Sequence, residues 1–101
     1  MHEILVLKGD SADNYLGAYV DGVLAWEDSC PDMTRMRPLF ALFRKAEHSE
    51  HPVKVRVEDV PSEVVEAMGL MGTFPSDLRV YRHAVENFPA GMAGFFPFAP
   101  H

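Results

Sequence analysis

The stretch YLGAYVDGVLAWED, residues 15–28, constrains the fold more than any other part of the chain. Two runs rich in β-branched and aromatic residues flank Asp21-Gly22, the dipeptide favoured in a two-residue type I′ hairpin, where both turn residues take positive φ. A turn of fixed length sets the register. Val20 is then expected opposite Val23, Ala18 opposite Ala25 and Leu16 opposite Glu27 on one face, with Tyr19 opposite Leu24, Gly17 opposite Trp26 and Tyr15 opposite Asp28 on the other. The first face is small and aliphatic, a seat for helices, and the second is aromatic.

Upstream, Ile4, Leu5, Val6 and Leu7 are all apolar, the pattern of a strand covered on both sides. The aromatic hairpin face beside such a strand needs a cover as well. The tail PAGMAGFFPFAPH, residues 89–101, is too rich in Pro and Gly for a helix or regular strand, and its phenylalanines are costly to leave in water. The expectation is therefore that Tyr15, Tyr19 and Trp26 form an interaction surface with Phe95, Phe96 and Phe98, filled by the chain's own tail or by a second subunit.

The remaining elements follow from periodicity. Met36, Leu39, Phe40, Phe43 and Ala46 have helical spacing, with Pro38 confined to a first turn, so the helix begins near residues 34–37 and exposes Arg37 and Arg44. Val53, Val55 and Val57 alternate with Lys54 and Arg56 as in a half-buried strand. Pro61 opens a second amphipathic helix carrying Val64, Ala67, Met68 and Met71. Residues 78–88 place Leu78, Tyr81, Val85 and Phe88 on one helical face with Ser76 as cap, although LRVY also fits a returning strand; the helix is preferred. The predicted fold is one α+β domain over residues 1–101. It has two layers: a mostly antiparallel sheet of four to five strands, begun by a three-strand N-terminal meander and followed by helix, strand and helix, with two or three helices on one face and an irregular apolar tail.

Charge limits the function classes. A net charge of −6 opposes a general nucleic-acid role, which needs a cationic footprint. Its distribution is uneven: residues 1–32 hold seven acids against Lys8 alone, whereas residues 33–57 hold six bases against Glu47 and Glu50, a polarity that fits self-association or a partner of mixed charge but is read first as the solvated faces of folded elements. No apolar run approaches the ~18 residues of a membrane span, and the run ILVL has neither the flank nor the length of a signal peptide. With a single Cys30, a cytoplasmic location is expected and no membrane partner.

His48-Ser49-Glu50-His51 is the segment most suggestive of chemistry. His48 and His51, with Glu47, could meet a metal on a helix, but HSEH matches neither H-E-x-x-H nor H-x-x-E-H, and a histidine ending a helix is favoured by the dipole. A helix terminus is the preferred reading, with no metal and no cofactor. Cys30 lies ahead of a helix start but has no base within reach along that helix. Phosphate-binding glycine loops, the G-x-S-x-G elbow and EF-hand spacing are all missing from the sequence. The chain therefore reads as a small non-enzymatic protein–protein interaction or regulatory module, a homodimer or a binder of another protein. The alternative is a small metal- or ligand-binding protein or enzyme using His48 and His51 or a pocket under the tail.

Overall fold

A computed structural model describes residues 1–9, 16–28, 32–65, 74–88 and 90. Strands β1 (Glu3–Gly9), β2 (Leu16–Val20) and β3 (Val23–Asp28) form the meander, helix α1 (Arg37–Glu47) crosses to β4 (Lys54–Val60), a helical turn follows at residues 62–65, and helix α2 (Leu78–Glu86) comes later. The sheet order is β3-β2-β1-β4. The β1–β2 and β2–β3 pairs are antiparallel and β1–β4 is parallel, which makes the fold α+β with a mostly antiparallel sheet.

The hairpin turn has the predicted geometry, with φ of 51° at Asp21 and 85° at Gly22. Asp21 does a second job, accepting the backbone amides of His2 and Glu3 at 2.8 and 2.9 Å, which ties the turn to the start of β1. Those amides, His2 first, hold its carboxyl below the usual aspartate range.

Beyond the turn the register departs from expectation. Val20 faces Val23 and Tyr19 faces Leu24, but a bulge then makes Trp26 the partner of Ala18, Glu27 that of Gly17 and Asp28 that of Leu16. One extra residue inverts every later side chain. Trp26 consequently packs with Ile4, Val6, Ala18 and Leu39, whereas Tyr19 lies on the opposite face with Leu5 and Leu7.

The helices also divide between the two faces instead of sharing one. α1 covers Ile4, Val6 and Ala18 through Leu39, helped by Leu42, Phe43 and Ala46, while Val60, Val64, Phe74, Tyr81 and Ala84 cover Leu5, Leu7 and Tyr19. The physical reason lies in β1, whose uninterrupted apolar run needs shelter on both sides. The aromatic face around Tyr19 is thus covered by Phe74 and α2.

Both described helices start as their sequences require. α1 begins at Arg37 with Pro38 in its first turn, and Arg37 and Arg44 are exposed. α2 settles the ambiguity of residues 78–88 in favour of helix, with Tyr81 and Ala84 buried and Asp77, one residue after Ser76, capping through its carboxylate on the Arg79 amide. At residues 62–65 the amides of Val64 and Val65 return to the Pro61 carbonyl at 3.0 Å, so Pro61 opens that turn.

Candidate interaction surface

The two edges of the sheet are unequal. Residues 76–78 lie along β3: Leu24 N–H donates to the Ser76 carbonyl at 2.8 Å, Leu78 N–H donates to the Gly22 carbonyl at 2.9 Å, and Val23 bridges Asp77. β4, at the other edge, has no strand on its outer side among the described residues.

The alternation of β4 is the reverse of the expected one. Val55 and Val57 are 47% and 64% exposed, whereas Arg56 and Glu58 are half-buried and only Val60 is fully buried. The parallel register explains it. Val55 and Val57 lie beside Ile4 and Val6 on the face that α1 covers, but the apolar stripe of α1 reaches Val53 and not these two. Arg56 and Glu58 sit beside Leu5 and Leu7 on the other face, next to α2.

There they are satisfied by charge. Glu58 accepts Arg82 at 2.7 and 3.2 Å and also accepts Arg56, so one carboxylate joins β4 to α2. The Arg82 hydrogen bond, with help from Arg56, holds the Glu58 carboxyl below the usual glutamate range although partial burial opposes this. The Arg82 guanidinium also lies 6.0 Å from the Tyr81 ring centre, within reach of its π face.

Backbone direction completes the surface. Lys54 N–H donates inward to the His2 carbonyl at 2.9 Å. Polar backbone groups of successive strand residues alternate in direction, so those of Val55, Val57 and Asp59 point outward. The register runs unbroken from Glu3–Lys54 to Gly9–Val60, leaving β4 without the bulge or proline that commonly blunts an edge. An outward ladder flanked by two uncovered valines is a template for another strand.

Of the residues expected to form the interaction surface, the two that are described, Tyr19 and Trp26, lie on opposite faces of the sheet. Tyr19 is 1% exposed and donates its hydroxyl to the Pro75 carbonyl at 2.5 Å, with burial raising its phenol far above the ordinary value. Trp26 is half-buried on the other face, under α1. Tyr15, Phe95, Phe96 and Phe98 lie outside the described residues, as does Cys30. His48 caps the C-terminus of α1, and His51, three residues on, is exposed with its amide on Ser49 Oγ at 3.3 Å. Among the described residues no three potential metal-ligating side chains converge, at Glu47, His48 and His51 or elsewhere.

A cleft of about 700 Å³ lies between the hairpin turn and the start of α2. Of its charged walls, Arg79 is paired with Asp77 at 2.8 Å and Arg82 with Glu58, and His83 and Glu86 line it as well. No helix among the described residues is long and apolar enough to cross a membrane. No protein-family model matches the chain, and comparisons with curated proteins and with solved structures give no significant match.

Proposed function

We propose that this chain is a non-enzymatic interaction module that receives an extended protein segment along the outer edge of β4. The observation that carries the reading is the pairing of an outward-facing β4 ladder with exposed Val55 and Val57, while the edge at β3 is occupied by residues 76–78. Affinity in this mode comes from main-chain hydrogen bonds, and selectivity from alternate side chains meeting the two valines. A partner rich in β-branched residues at every second position fits that surface. The sequence expectation of a protein–protein module is kept, but its surface moves from Tyr19 and Trp26 to β4.

The test is a photo-crosslinking residue placed at position 57 and, as a control, at exposed Ala41 on α1, with the full chain expressed in its native host. Position 57 should capture a protein, another copy included, that position 41 does not. Equal capture from both positions, or none from 57, overturns the reading.

A further inference from the structure

We infer that the strand received by β4 is β4 of a second copy, paired antiparallel about a two-fold axis that passes beside Val57. This deepens the reading above and rests on it. The basis is charge complementarity written into the strand KVRVEDV, residues 54–60.

In a two-fold antiparallel pair, opposed residues lie on the same face of the joint sheet, so only registers that join positions of like parity are allowed. Centring the axis on Val57 sets Val57 against its own copy, Arg56 against Glu58 of the other chain, and Glu58 against Arg56. The closest alternatives are worse. A shift one way opposes Arg56 to Arg56, and a shift the other way opposes Glu58 to Glu58, each a like-charge pair directly across the ladder. The backbone agrees with the centred register: Val55, Val57 and Asp59 carry the outward groups, so Val57 exchanges both hydrogen bonds with its copy, and Val55 does so with Asp59.

That choice puts Arg56 and Glu58 in the non-hydrogen-bonded positions, where opposed side chains approach most closely. Arg56 and Glu58 already touch within one chain, and Glu58 holds Arg82, so the dimer joins two such clusters into one alternating network. On the opposite face Val57 meets Val57, and Val55 packs diagonally beside it. The exposed valines thereby shield one another in part along the new ladder, and the two four-stranded sheets become continuous.

Sedimentation equilibrium of the full chain tests the assignment. The wild type should dissociate from dimer to monomer on dilution, and Val57→Pro, which removes an outward N–H and no bond to β1, should sediment as a folded monomer. Arg56→Glu or Glu58→Arg alone should each weaken self-association by roughly tenfold, from two reversed pairs per dimer. Mixing these two variants should restore association as a heterodimer, since each supplies the charge the other has lost. Circular dichroism establishes that each variant is folded. Should Glu58→Arg fail to fold beside Arg82, Glu58→Gln takes its place: paired with Arg56→Glu it should recover only part of the lost affinity.

A wild type that remains monomeric at every concentration overturns the proposal, as does a dimer indifferent to Val57→Pro, or folded charge variants that do not recover on mixing. A monomeric wild type that still captures a different protein from position 57 removes the second copy and leaves the β4 docking edge standing. Absence of any capture from that position removes both.

Discussion

Gly17→Ala is the sharpest test of how the core is assembled. Gly17 lies in β2 directly under the Phe74 ring, and a Cβ there would meet Cδ2 and Cε2 of that ring at 2.7 and 2.8 Å and Cγ at 3.2 Å. Carbon atoms in good contact are about 3.5–4.0 Å apart, so the ring has to withdraw by nearly an ångström. It has little room to do so. Phe74 is 2% exposed, with the Tyr19 ring edge-on at 6.4 Å, the Tyr81 ring at 6.5 Å and its amide held by Glu27 at 2.7 Å. Overpacking of this kind costs about 1–3 kcal/mol, partly offset by the ~0.4–1 kcal/mol that alanine gains over glycine through the unfolded chain. A net loss of about 1–2 kcal/mol corresponds to a fall in melting temperature of roughly 5–15 °C in a domain of this size. Thermal and urea unfolding followed by circular dichroism measure it, together with the cycle through Phe74→Leu. In the Phe74→Leu background the added methyl should cost distinctly less, giving a coupling of about 1 kcal/mol. A Gly17→Ala protein as stable as wild type, or strict additivity with Phe74→Leu, would refute the packing of Phe74 on β2.

Four further outcomes are expected. Gly22→Val forces a β-branched residue to a φ of 85° and should destabilise by about 1 kcal/mol or more in urea unfolding, with Gly22→Asn much milder. Because the folded Glu58 carboxyl titrates below the ordinary value of 4.5, its contribution is present above that pH and is lost as pH falls through the folded value; the stability gap between wild type and Glu58→Gln should therefore close on acidification. Burial pushes the Tyr81 phenol from 10.0 up to about 12, so the unfolded chain loses that proton first: stability is retained below pH 10.0, falls as pH rises through this interval, and falls less steeply in Tyr81→Phe. His48→Ala combined with His51→Ala should leave the melting temperature, with and without zinc, equal to that of wild type, and a zinc-dependent rise in wild type alone would restore the metal reading.

The sequence was most informative where one local rule acts alone. Asp21-Gly22 requires positive φ twice, which identified the turn, and Pro38 and Pro61 can occupy only first turns, which located two helix starts. The apolar run of β1 announced burial on both sides, but which segments would supply it depends on tertiary packing. The bulge in β3 had no local signal, because Ala25 is as acceptable in a ladder as in a bulge, and that one residue separated Trp26 from Tyr19. β4 misled for a similar reason. Alternating valines mark an apolar face, yet whether anything covers that face depends on how far α1 extends over the sheet, and the charged pair Arg56 and Glu58 turned inward because Arg82 on α2 was there to receive them. Phe74 could have been suspected only from the strand glycine opposite it, Gly17, whose missing side chain often signals a close approach.

The parallel pairing of β1 with β4 joins Glu3 to Lys54, half the chain away, whereas the meander closes through neighbouring residues. Closing a long loop precedes any reward from the contacts it makes, so local hairpins form in microseconds and distant strand pairings later. β4 is then expected to dock after the meander in folding and to open ahead of it in partial unfolding. Its inward amides, at Lys54, Arg56, Glu58 and Val60, should exchange with solvent deuterium through a lower-energy opening than those of β1 and β2. Each such opening bares an edge of β1 flanked by Ile4, Leu5, Val6 and Leu7, onto which β4 of a neighbouring molecule can settle in its native parallel register. Prolonged warming at high concentration therefore leads toward strand exchange, and the rate of that exchange is set by how often β4 lets go.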